Sequence, residues 1–237
     1  MTNPAIMAPT PEPPHRRWRA LLLAPLAFAL AGCPGATGPA ERLFRLSDPT
    51  PPASASPHAA GKGIMVVEGF EARGALARQR TIIYRDLSQA NETQYYPAAQ
   101  WEEPPAMMVQ AAIASCLDRA GLFEGVVRRD RRLRPQYSLV GMLDQLEQRV
   151  AGSCSDAMIR VEMTVIDEES NRVFLKGVYQ AAEPAGSGHI EQVLPAFDRA
   201  LSDICTAIVD DLRRLKRDGK PSLSSQPRIA SGPTCAH

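Results

Sequence analysis

The chain has no surplus of either charge. Its 27 lysines and arginines stand against 26 aspartates and glutamates, a formal net charge of +1. That balance excludes a nucleic-acid partner held through a broad basic surface. The one strongly basic run, Arg128 to Arg134, reads as a solvated loop ahead of a phosphate or headgroup contact. Signatures of chemistry are missing as well. There is no G-x-S-x-G elbow to present a serine nucleophile and no Walker A loop to cradle phosphates, so neither hydrolysis nor nucleotide-driven work is signalled. No C-x-x-C or paired Cys/His spacing could close four ligands around zinc. Of the four histidines, His15, His58 and His237 fall in the leader, a Pro-rich stretch and the C-terminal end. His189 follows Gly186-Ser187-Gly188 and reads as a lone surface residue of a loop. Glu102 and Glu103 are adjacent, so their side chains diverge and cannot flank a bond as paired acid and base; they suit a helix N-terminus instead. Trp101 reads as a packing residue. No enzyme activity, cofactor or metal is expected, and there is no internal repeat.

What is present begins with a leader. His15-Arg16-Arg17-Trp18-Arg19 supplies a positive start, and Ala20 to Ala31 an apolar segment broken by Pro25. That segment is too short for the roughly 20 residues a bilayer-spanning helix needs, so it reads as a signal and not an anchor. Leu30-Ala31-Gly32-Cys33 resembles the lipobox of bacterial lipoproteins. The resemblance implies cleavage before Cys33, a diacylglycerol on its thiol and acylation of the new amino terminus, which together give stable anchoring. Pro34, where an aspartate would signal retention in the enterobacterial rule, implies transfer to the outer membrane. An ordinary secretory signal with an incidental Cys33 is the alternative.

The expected organisation is a signal peptide over 1–32, a lipidated flexible tether over 33–63, one folded domain over 64–216 and a disordered tail over 217–237. The tether is rich in Pro, Ala, Ser and Gly and the tail has no helical or strand period, so neither can bury enough apolar surface to offset its own ordering. Four cysteines follow Cys33. In an oxidising compartment they form two bridges, one or none, and three complete pairings exist. Cys116 and Cys205 fall on apolar helix faces and read as small core residues. Cys154, in a turn, and Cys235, in the tail, are the accessible pair and the candidate disulfide.

Within the domain, the pattern predicts strands at Ile64–Val67, Thr81–Arg85, Gln94–Tyr96, Phe123–Val127 and Tyr137–Val150. Ile159, Val161, Met163 and Val165 alternate with polar residues, as in a strand with one dry and one wet face, and Arg172–Gln180 returns as its hairpin partner. A helix is predicted to start at Pro104-Pro105, with Val109, Ala112, Ile113, Cys116 and Leu117 at helical spacing and Gly121 as the stop. A second, about Ile190 to Arg217, places Phe197, Leu201, Ile204, Ile208, Leu212 and Leu215 on one stripe and Asp198, Asp203, Asp210, Asp211 and Arg214 in water. The expected fold is α/β: a single domain with a mixed β-sheet and two long amphipathic helices.

The order of several short features carries a resemblance: Leu43-Phe44-Arg45-Leu46, Thr81-Ile82-Ile83-Tyr84-Arg85, Tyr95-Tyr96, Trp101 followed by Pro104-Pro105, and Gly121-Leu122-Phe123. Together they resemble the ABC-type transport auxiliary lipoproteins, the family that includes the PqiC lipoprotein. The resemblance implies a non-catalytic lipoprotein on the periplasmic face of the outer membrane. Its implied partner is an MCE-domain protein and, through it, an ABC permease and ATPase that move lipids or other hydrophobic molecules between membranes. The C-terminal tail with Cys235 and the cysteine-rich core depart from the family pattern. Two other functions share the same anchor and fold class. One is a lipid-binding module, which requires an apolar cavity; the other is an envelope assembly or structural lipoprotein unrelated to transport.

Overall fold

Alternation sets the architecture. The computed structural model describes residues 40–50, 63–77, 80–89, 91–128, 134–186, 189–219 and 222–230. Its strands are β1 (Arg42–Phe44), β2 (Ile64–Val67), β3 (Glu71–Ala72), β4 (Thr81–Asp86), β5 (Gln94–Trp101), β6 (Gly125–Arg128), β7 (Tyr137–Ala151), β8 (Cys154–Asp167), β9 (Arg172–Pro184) and β10 (Ser222–Ala230). Helix α1 (Pro105–Arg119) lies between β5 and β6, and helix α2 (Ile190–Asp218) between β9 and β10. All ten strands join one mixed sheet, whose main path runs β1-β5-β4-β7-β8-β9-β10.

The spine is β7. Along one edge it pairs antiparallel with β8 from Tyr137↔Asp167 to Ala151↔Cys154, with a bulge at Asp144. Along the other edge it takes β2, β3 and β4 in turn, all parallel. Gly152, with φ of 59°, allows the tight β7–β8 turn at no steric cost. At Gly141 the reason for glycine is space: an added Cβ would lie 2.5 Å from the Phe70 ring. The crossovers that return chain to the sheet are helical. The β9–α2–β10 unit ends with β10 parallel to β9, as a βαβ connection requires.

Both helices cover one face of this sheet. Ile159, Val161, Met163 and Val165 of β8 are each 0% exposed and pack in one cluster with Ile113, Leu117, Phe197, Leu201, Ile204, Ile208 and Leu212. Pro105 occupies the first turn of α1, where a missing backbone donor loses nothing. Helix α1 fills the span expected between Pro104 and Gly121, and at 15 residues is about half the length of the 29-residue α2.

Cys116 of α1 and Cys205 of α2 are buried as expected, but they are also bonded to each other, with Cα atoms 6.2 Å apart. Two apolar helix faces pressed together brought the sulfurs within bonding range, which spacing along the chain could not reveal. Across a separation of 89 residues, such a bond contributes about 4 to 5 kcal/mol in the chain-entropy picture.

Three further expectations are corrected. Strand β1 lies inside the stretch assigned to the tether, and β10 inside the stretch assigned to the disordered tail. Both are edge strands whose partners, β5 and β9, supply the order that their own composition does not. Asp211 is buried, 6% exposed, because Tyr179 of β9, Arg228 of β10 and Arg214 of its own helix converge on its carboxylate.

Candidate functional site: an N-terminal strap and a charged sheet face

Residues 42–50 form a strap. Arg42–Phe44 adds to the edge of β5 in register Arg42↔Ala99, Leu43↔Gln100 and Phe44↔Trp101, and the Glu102 N–H donates to the Phe44 carbonyl at 2.7 Å. The strap then crosses both helices. Arg42 pairs with Glu191 in the first turn of α2, and the hydrogen bond from the Glu191 backbone N–H, followed by that from Arg42, holds the Glu191 carboxyl below its ordinary range. The Ser47 N–H donates to Asp198 Oδ1 at 2.8 Å. On α1, Ser115 Oγ donates to Asp48 Oδ2 at 3.3 Å, and the Arg119 guanidinium donates to the Pro49 carbonyl. The route of the chain onto the domain is therefore specified by polar contacts to two helices and by one strand pairing.

Beneath the strap, Asp203 and Glu183 share an acidic corner. Burial, with Glu183 beside it, raises the Asp203 carboxyl above its ordinary range. At the same end of the sheet, Tyr96 donates to Gln148 Oε1, and Gln148 Nε2 donates to Ser155 Oγ at 2.6 Å. This chain of side chains links β5, β7 and β8. Burial, aided by Tyr84 and Glu191, pushes the Tyr96 hydroxyl up to about 12, so it stays a donor at every physiological pH.

Among the described residues the other face of the sheet carries no helix, and charge takes the place of apolar packing. Arg73 lies 3.1 Å from Asp144, Arg160 lies 3.6 Å from the same carboxylate, and Lys176 lies 3.1 Å from Glu162. The face has two halves. Toward the start of β7 it is open: Val140 is 38% exposed and helps line a shallow groove of about 380 Å³ with Met142, Arg73 and Glu162. Toward the end of β7 it is closed. Asp156 is 0%, Met158 1%, Ala182 3% and Glu147 3% exposed. Arg149 grips Asp156 with two bonds of 2.7 and 2.6 Å, and Arg85 grips Glu147 at 3.0 to 3.2 Å.

A third polar centre, which the sequence did not reveal, fastens β10. Tyr179 donates to Asp211 Oδ2 at 3.0 Å, and Arg214 and Arg228 both pair with Asp211 Oδ1. Burial first, and then Asp211, holds the Tyr179 hydroxyl far above its ordinary value. The only sequence signal was an aspartate at a position adjoining the apolar stripe of α2.

The residues singled out by sequence are not brought together. Trp101 is fully buried, edge-on to Phe197 with ring centroids 5.8 Å apart, and its indole N–H has no hydrogen-bond partner. It packs, as expected. Glu102 and Glu103 are exposed just before α1, and exposed His189 is the N-cap residue of α2 with no side-chain capping bond. Cys33 and Cys235 lie outside the described residues, as do Arg129 to Leu133 of the basic run. Among the described residues, no three His, Cys, Asp or Glu side chains are grouped to hold a metal ion, and no helix is long and apolar enough to cross a membrane. Four hollows formed by the described residues, of about 210 to 660 Å³, each include charged side chains in their lining, and none of these four is the apolar sleeve an acyl chain would fill.

With this geometry in place, the comparisons are direct. The family model for the ABC-type transport auxiliary lipoprotein component matches residues 44–209, from the end of β1 to the third turn from the end of α2. The chain belongs to this family. Its fold is that of a DUF330-family protein from Xanthomonas campestris, at 22% identity and a TM-score of 0.63, covering 75% of this chain and 98% of that one. A second solved structure, of an uncharacterized protein, matches at 11% identity and a TM-score of 0.56 over 73% of this chain and 99% of its own. At such identities the likeness is one of fold. No curated protein matches the chain. The family match thus takes in the last residue of β1, the spine, α1 and most of α2, but not β10 or the cysteine near the C-terminus.

Proposed function

We propose that this family member is a non-catalytic accessory subunit of an MCE-type ABC transport system, anchored by lipid on Cys33 at the periplasmic face of the outer membrane. In this role it supports the movement of lipids or other hydrophobic molecules between membranes. The observation that carries the reading is the family match over residues 44–209. Energy enters elsewhere, through a permease and its ATPase, and the MCE-domain protein is the direct partner. The charged lining of the hollows supports a protein contact over a lipid-shielding module.

The strap sharpens this role. If Cys33 is the anchor, only the eight residues Pro34–Glu41 separate it from β1, in place of the long tether expected from composition. Fully extended, eight residues span no more than about 28 Å. The domain therefore works close to the membrane in a restricted set of orientations. Metabolic labelling with a fatty-acid analogue, compared between the wild type and Cys33→Ser, tests the anchor. The label and membrane retention are expected to vanish in the variant; a variant that is still cleaved and membrane-bound removes the basis of the proposal.

A further inference from the structure

Leu43 and Tyr95 are among the large apolar side chains that the fold leaves open to solvent, 54% and 42% exposed. Register puts them side by side. Leu43 pairs with Gln100 of β5 and Gln100 with Thr81 of β4, while Tyr95 pairs with Ile83, two residues on along β4. Alternate residues of a strand share a face, so Leu43, Gln100, Thr81, Ile83 and Tyr95 lie on one face. Ile83 stands beside Glu147 of β7, which makes it the face that carries no described helix. The Cα atoms of Leu43 and Tyr95 are therefore about 5 Å apart across the sheet and about 7 Å along it.

A bulge brings them together. Tyr96 to Ala99 stand opposite the single residue Ile82, with Ala98 at φ of 53°, and Pro97 within the bulge is exposed. Neighbouring charges are engaged elsewhere. Arg42 lies with Phe44 on the other face, 5.1 Å from the centre of its ring, and pairs with Glu191. Arg80 donates to the Glu102 carbonyl at 2.9 Å, and Arg85 grips Glu147. Val140, by contrast, lines its groove with Arg73 and Glu162. The β1–β5 edge is an apolar, aromatic patch without charge of its own.

The place where the chain enters the domain supplies the occupant. Strand β1 is the terminal strand of the sheet's main path, and it begins one residue before Leu43. We propose that this edge is a membrane contact: Leu43, Tyr95 and Pro97 rest in the headgroup region of the leaflet that holds the anchor. The inference rests on the lipidation of Cys33 proposed above. The eight residues Pro34–Glu41 hold Arg42 within about 28 Å of the anchor whatever their path. Val140 stands three strand spacings, about 14 Å, further across the sheet. A tyrosine ring is apolar along its body and polar at its tip, and such rings are enriched at headgroup level. Leu43 adds apolar area, and an uncharged patch needs no anionic lipid to bind. Contact here leaves the β10 edge, at the other end of the sheet, turned from the bilayer and open to a partner.

The test uses the full lipidated chain, purified from membranes and reconstituted into vesicles of phosphatidylethanolamine and phosphatidylglycerol whose acyl chains carry bromine near the headgroup. Bromine quenches tryptophan only at close range. The chain has two tryptophans. Trp18 leaves with the leader on the lipoprotein reading, and Trp101 is fully buried, so a tryptophan introduced by Leu43→Trp or Tyr95→Trp reports its own surroundings. Each is expected to lose about half of its added emission or more relative to unbrominated vesicles, and Val140→Trp under about a tenth. Protein that does not float with the vesicles overturns the anchor and, with it, this contact. Protein that floats but shows no quenching at Leu43→Trp and Tyr95→Trp overturns the contact alone and leaves the patch to a protein partner. Quenching at Val140→Trp as strong as at the other two positions overturns the assignment to this edge.

Discussion

The two faces of β7, β8 and β9 are made by the same strands in the same register, yet they are built from opposite materials. On one face Ile159, Val161, Met163 and Val165 pack with Phe197, Leu201 and Ile208 in one buried cluster. On the other, Arg73, Asp144, Arg160, Glu162 and Lys176 form a lattice of ion pairs, most of them partly exposed. The difference teaches where stability and recognition are located. Apolar burial of the first kind is the dominant favourable contribution to folding, whereas exposed ion pairs each add little. A face that costs so little to alter is free to be shaped by a partner.

Three substitutions break or sharpen the contrast, and each can be read by equilibrium urea unfolding. On the dry face, Phe197→Ala empties the centre of the core and is expected to cost about 3 to 5 kcal/mol. A loss under about 1 kcal/mol would show that the α2 stripe packs on something other than this sheet. On the closed half of the charged face, Arg149→Met leaves the fully buried Asp156 without its two-pronged partner and is expected to cost about 2 to 4 kcal/mol. On the open half, Lys176→Met removes an exposed partner of Glu162 and is expected to cost under about 1 kcal/mol, less still in high salt. If Lys176→Met costs as much as Arg149→Met, the division of that face into halves is wrong.

The smallest effect is a pH dependence under the strap. Because burial and Glu183 raise the folded Asp203 carboxyl above its unfolded value of 3.8, its protonated form is favoured in the native state. Its contribution is complete below the unfolded value and is lost as pH rises through the folded one. For this half-exposed group it amounts to under about 0.5 kcal/mol. Asp203→Asn is expected to flatten the corresponding slope in Tm above pH 4, and an identical slope in the variant would contradict the assignment.

Sequence legibility follows the same division. The strands at Ile64–Val67 and Ile159–Val165 and the stripe of α2 were readable because burial imposes a period, and periods survive in a sequence. Strand β5 was legible only to Tyr96. Pro97 and Ala98, the latter with φ of 53°, form a bulge there that interrupts alternation before the strand resumes at Ala99. Strand β1 is three residues long, too short for any period. Strand β10 reads Ser-Leu-Ser-Ser-Gln-Pro-Arg-Ile-Ala, a polar string with a proline, and becomes a strand because α2 delivers it beside β9 and Arg228 finds Asp211. Of the candidate site, the lipobox-like leader and the family order were visible in advance. The strap's contacts, the Cys116–Cys205 bond and the buried Asp211 were not, because each depends on which residues the fold places opposite one another.

The central claim is that function lies in a protein contact made by an anchored, non-catalytic domain. Affinity capture of the full lipidated chain from membranes in mild detergent tests it most directly, with His189→Ala and Glu102→Ala each assayed in cells. The account predicts co-capture of an MCE-domain protein and unimpaired activity for both variants. Capture of no transport component, together with loss of activity in either variant, would contradict it.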